Sequence, residues 1–154
     1  MATVEAAQQK VQRILAGAFD NVMLAKDGFA IERGSTRISI EVREWGKDPK
    51  GEPSSVVRLW APVVRALKPT PEFYRWAATE GQKFVFGSVT VVDNEDGSEC
   101  FVAFDHTLLA DYLDPDELVQ AVVAIVLTAD DLDDVVHDRF GGLRYTDPDP
   151  GDAT

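Results

Sequence analysis

The sequence predicts an α+β fold: an antiparallel five-stranded sheet with helices, in the order α-βββ-α-ββ-α. Three observations carry that expectation. Apolar residues recur at the helical period near both ends of the chain. Thr36 to Trp45 alternates cleanly, with Thr36, Ile38, Ile40 and Val42 facing one way and Arg37, Ser39, Glu41 and Arg43 the other. That is the pattern of a half-buried antiparallel strand. Strands also come in runs, with no strand–helix–strand crossover between them.

The first helix is read from Val4, Ala7, Val11, Ile14, Leu15, Ala18 and Val22, with Thr3 as its N-cap and Asp27-Gly28 ending the run or starting a turn. Phe29 to Glu32 is a short strand turned by Gly34-Ser35, and Thr36 to Trp45 is the second. Gly46 to Pro53 is a polar loop, and Ser55 to Ala61 is the third strand. Pro62 has no N–H for a ladder, so this strand is an edge, bulges, or ends there. Thr70 caps a short helix with Pro71 at its first position, Phe73, Trp76 and Ala77 on one face, and Gly81 closing it. Lys83 to Val92 and Cys100 to Leu108 form a hairpin around a loop at Asp93 to Ser98. Asp114, Pro115 and Glu117 have capping-box spacing ahead of an apolar stripe from Leu118 to Phe140, which Gly141-Gly142 stops. Residues 1–142 are therefore read as one domain, and residues 143–154 as a disordered acidic tail.

A chain of 154 residues suits one domain and needs no disulfide or metal to fold. Its net charge of −12 argues against nucleic acid, whose phosphates need a basic surface. The charge is uneven. Residues 1–92 carry 13 Lys and Arg against 10 Asp and Glu, whereas residues 93–154 carry 2 against 17. Such an acidic half solvates the protein or steers basic partners. The most apolar stretch, Leu118 to Leu127, is far short of the roughly 20 residues of a membrane span. With no signal peptide visible at the start, the expected location is cytoplasmic.

The search for chemistry is nearly empty, and no enzyme, cofactor or metal is expected. His106 reads as a partly buried sheet residue, with Asp105 on the opposite face. His137 sits near a helix C-terminus, where a cation complements the dipole. Asp130, Asp131, Asp133, Asp134 and His137 are dense in carboxylates but lack any known metal spacing. Cys100 reads as a small core residue. What remains is aromatic and apolar surface, because several strands carry apolar residues on both faces. Trp45, Trp60, Phe84 and Phe86 are the candidate peptide or dimer surface.

Two segments resemble a known family. One is Phe73-Tyr74-Arg75-Trp76 running through Gly81 into Phe84-Val85-Phe86-Gly87. The other is Ala129-Asp130-Asp131-Leu132-Asp133-Asp134 through Phe140-Gly141-Gly142. Together they are similar to type III secretion chaperones and YbjN-like proteins, over roughly residues 4–142. Where relatives often end the short helix with Leu-Asn, this chain has Ala78-Thr79. The resemblance implies a non-enzymatic, usually dimeric protein that holds a client protein or peptide. A regulatory or scaffold protein of the same fold is the alternative, and a small-molecule enzyme the weaker one.

Overall fold

A computed structural model describes residues 4–151. In chain order the elements are α1 (Val4–Ala18), β1 (Met23–Ala25), β2 (Gly28–Arg33), β3 (Thr36–Lys47), β4 (Pro53–Leu67), α2 (Pro71–Ala78), β5 (Ser88–Asp93), β6 (Cys100–Leu109) and α3 (Pro115–Phe140). One antiparallel sheet runs β1-β2-β3-β4-β6-β5. The α+β class stands, and the sheet has six strands rather than five.

The extra strand comes out of the expected first helix. Gly17, Asp20 and Asn21 are poor helix formers, and α1 ends at Ala18 instead of Val22. Phe19 and Val22 still pack against the core, now from a loop, and Asn21 Nδ2 donates to the Glu32 carbonyl at 2.6 Å. Met23, Leu24 and Ala25 then pair with Ala30, Phe29 and Gly28. The proposed cap Thr3 lies outside the described residues.

The core lies between one sheet face and the helices. Ile38, Ile40, Val57, Leu59 and Phe104 point from the sheet, and Val11, Leu15, Leu118, Val122, Ile125 and Val136 meet them from α1 and α3. The two helices with strong caps begin as the sequence predicts. Thr70 accepts from the Phe73 N–H, and Asp114 accepts from those of Asp116 and Glu117. In α2, Phe73 and Trp76 are buried and meet Phe140 at centroid distances of 5.3 and 5.6 Å.

Two local readings are corrected, and at Pro62 the bulge that the sequence allowed is the one observed. Pro62 lies inside a fifteen-residue strand at the centre of the sheet. It fits because the β3 ladder stops at Trp60 and a bulge follows between Pro62 and Val64 on the β6 side. Gly81 does not close α2, which ends at Ala78 with Thr79 as its C-cap. It forms part of a 3-10 turn, where a Cβ would meet Val89 Cβ at 2.9 Å. Residues 83–87 are irregular, because Gly87 has φ +82° and β5 starts only at Ser88.

The segment after Gly142 is also not the free tail that its composition suggests. Leu143 exchanges both main-chain hydrogen bonds with Arg65, each 2.8 Å long. Arg65 lies where β4 has run past its β3 partner, so its peptide groups are available. Arg144 then bridges Asp134 and Asp147, and Arg65 reaches Asp149 and the Asp147 carbonyl. Residues 152–154 lie outside the described residues.

Candidate functional site

The register decides which surfaces are open. One row crosses the sheet through Met23, Ala30, Ser39, Trp60, Asp105 and Ser88, on the face opposite the helices. This face is more polar than the sequence reading supposed. Arg58 pairs with Asp105 at 3.2 Å, and Asp105 also accepts from Thr90 Oγ1 at 2.7 Å. Trp60 Nε1 donates to Glu41 at 2.9 Å, and its ring meets Phe101 edge-on. Trp60 is thus a half-buried, oriented aromatic within a charged lattice.

The four aromatic candidates do not form one surface. Trp45 is the unpaired residue of a bulge between Glu44 and Gly46, 58% exposed near the end of β3. Phe84 packs edge-on against the core residue Phe104 at 5.0 Å, so it is chiefly structural. Phe86 meets the His106 ring at 5.8 Å, beside the 92%-exposed Val85. In the continuous strand expected over Lys83 to Val92, Phe84, Phe86 and Ser88 would share one face. The positive φ of Gly87 breaks that alternation.

The two sheet edges differ. At β5, Gln82 Nε2 donates to the Val89 carbonyl at 3.2 Å, and Gly81 packs on Val89. A side chain and a turn thereby cover that edge at Val89, whereas Val92 and Asp93 beyond it are exposed. At β1 all three residues are exposed, with Leu24 at 80%. Two clefts lie near this edge, one beside the loop that leads into β1 and one between α1 and β1. One, of about 300 Å³, has Phe19, Ile31, Val122 and Val126 among its walls and Asp20, Glu32 and Arg33 at its rim. The other, of about 250 Å³, runs between Gln8 and Gln12 of α1 and Leu24, Lys26 and Phe29. An open strand edge beside side-chain clefts is the geometry that accepts an extended peptide: main chain pairs with main chain, and alternate side chains enter pockets.

Residues 5–148 match the family described as T3SS (YopN, CesT) and YbjN peptide-binding chaperone 1. The chain belongs to that family. No curated protein matches it. The family resemblance seen in the aromatic helix and the Phe-Gly-Gly ending therefore holds, and a peptide-binding chaperone family fits a chaperone or adaptor role.

The remaining chemistry-bearing groups of this family member have structural partners. His106 Nδ1 accepts from the Gly87 N–H at 3.1 Å, and His137 Nδ1 lies 2.8 Å from the Gly142 carbonyl. Cys100 is buried, which with the nearby Asp93 charge pushes its thiol up to about 11. Among the described residues no His, Cys, Asp and Glu cluster is arranged to hold a metal, and no helix is long and apolar enough to cross a membrane. Sequence reasoning missed Leu24 and the clefts, because Leu24 had been placed just beyond a helical run with no strand assigned to it.

Proposed function

We propose that the protein is a cytoplasmic chaperone or adaptor that holds an extended client segment along the outer edge of β1 and carries out no chemistry. The observation that carries this reading is the open β1 edge, which lies near two clefts, while the β5 edge is covered at Val89 by Gln82. Membership of a peptide-binding chaperone family supports it. Acidic side chains on the outer surface of α3, Asp116, Asp131, Asp134 and Asp138, favour clients with basic flanks, an attraction that salt weakens.

The test begins with a client recovered by co-purification from the native host. Its binding segment is then measured against the purified protein. Leu24→Asp places a charge on the edge and is expected to weaken binding at least tenfold, about 1.4 kcal/mol, while Trp45→Ala leaves it unchanged. Equal affinity in folded Leu24→Asp overturns the edge assignment. Failure to recover any client under native conditions favours the regulatory or scaffold role, and turnover of a small molecule refutes the non-enzymatic reading.

The second part of the proposal is a homodimer through the face centred on Trp60. Trp60 and Phe101 supply apolar area there, and Arg58, Asp105 and Glu41 supply polar groups that two copies can exchange about a two-fold axis. Light scattering at micromolar concentration is expected to give twice the monomer mass of 16.9 kDa, and Trp60→Ala to reduce it. A monomer mass for the unaltered protein overturns this part alone.

A further inference from the structure

Ser35, in the turn between β2 and β3, touches two carboxylates of α3. Its Oγ lies 2.5 Å from Asp130 Oδ1 and 3.1 Å from Asp133 Oδ2. A hydroxyl has one hydrogen to donate, so it cannot satisfy both oxygens. The shorter contact, to the more exposed Asp130, takes that hydrogen. Asp133 is then left either as a buried anion facing a lone pair or as an acid that donates its own proton to Ser35 Oγ. Asp133 is only 3% exposed and makes no ion pair among the described residues. An unpaired buried carboxylate costs several kcal/mol, and proton uptake removes that cost.

We propose that Asp133 is held as a neutral acid and that the chain Asp133–Ser35–Asp130 is a pH-dependent latch fixing the β2–β3 turn to α3. The proton of Asp133 goes to Ser35 Oγ, and the proton of Ser35 goes to the Asp130 carboxylate. The charged groups around it offer no substitute. Asp134 adds a negative charge from the same helix, and Arg144 is already engaged by Asp134 and Asp147. Arg33 and Arg37 flank the turn without forming an ion pair to either carboxylate. His137, one turn further along α3, is bound to the Gly142 carbonyl.

Burial raises the Asp133 carboxyl above the usual carboxylate range. Ser35 and the Asp134 N–H pull it down, and the Asp134 and Asp130 charges raise it. The sign follows from linkage. A carboxyl raised in the folded state contributes stability that is complete below its unfolded pKa of about 3.9 and is lost as pH rises through the higher folded value. Above that value two carboxylates share one hydroxyl proton and the turn loosens. The turn adjoins Glu32 and Arg33 at the rim of the larger cleft, so the latch steadies one wall of it. The latch does not depend on whether that cleft takes a client.

Two measurements on the full chain test it. Carboxyl carbon NMR of the unaltered protein is expected to show Asp133 titrating above the ordinary Asp range. Amide hydrogen exchange at Gly34, Ser35 and Thr36, corrected for intrinsic rates, is expected to lose protection by up to about tenfold per pH unit between the unfolded Asp value and that titration point, and to level off above it. In Asp133→Asn the amide donates to Ser35 in place of the acid, and protection of the turn becomes independent of pH. Asp133 titrating in the ordinary range, or Asp133→Asn keeping the unaltered pH dependence, overturns the latch. Client affinity enters neither readout, so failure here leaves the β1 edge standing.

Discussion

At Gly87 a missing Cβ lets the backbone approach three other groups. A Cβ there would meet Ile125 Cδ1 and Phe104 Cε1 at 2.7 Å and the Asp105 carbonyl at 2.9 Å, and φ is +82°. The Gly87 N–H also donates to His106, so this residue joins α3, β6 and the loop before β5. Gly87→Ala combines left-handed strain with overpacking and is expected to cost about 2–5 kcal/mol in chemical denaturation. Gly51 separates the two effects. It shares φ +82° but has open space around its missing Cβ, so Gly51→Ala is expected to cost only about 1–2 kcal/mol. Equal losses at the two positions would show that packing around Gly87 yields. Residues whose role is set by their immediate neighbours were legible in the sequence: Thr70 and Asp114 as caps, Cys100 as a core thiol, and His106 as a sheet residue. Gly87 was not, because its need for no side chain comes from Ile125 and Phe104, both distant in sequence.

At the scale of elements, what failed to show in the sequence was non-local pairing. The alternation of β3 and the stripe of α3 identify themselves. Which strands become edges does not, because the order β1-β2-β3-β4-β6-β5 is set by pairing between distant segments. Hence β1 was missed, and with it the open edge and its clefts, while attention went to aromatics that the fold disperses. The segment after α3 failed for a related reason. Its Asp and Pro content suggests disorder, but the peptide groups of Arg65 offer Leu143 two hydrogen bonds. Truncation after Gly142 removes both, and at a net 0.5–1.5 kcal/mol each it is expected to cost about 1–3 kcal/mol. The partly exposed ion pairs of Arg65 and Arg144 add little to that sum. A melting temperature unchanged by truncation would mean that the segment detaches in solution.

Over the whole molecule, charge opposes the packing. Residues 93–154 have 17 acids and only two basic residues, Arg139 and Arg144. The fold answers part of this by pairing across the two halves: Arg58 with Asp105, Arg65 with Asp149, and Arg139 with Glu72. These contacts are partly or well exposed, each contributes at most about 1 kcal/mol, and salt weakens them. Repulsion acts the other way. The exposed acids of α3 and of the hairpin at Asp93, Glu95 and Asp96 have few cations near them and repel over longer distances. Raising ionic strength from about 0.01 M to about 0.15 M shortens the screening length from about 30 Å to about 8 Å. That range spans most distances between the acids, whereas the ion pairs are in direct contact and lose less. Repulsion is therefore the larger loss, and added sodium chloride is expected to raise the melting temperature by about 2–4 °C, equivalent to about 1 kcal/mol. Sodium chloride is the proper salt for this test, because sulfate would also strengthen apolar burial. A melting temperature that falls over this range would show that the pairs across the halves outweigh the repulsion, and Arg58→Ala, which removes one of those pairs, would then lessen the fall.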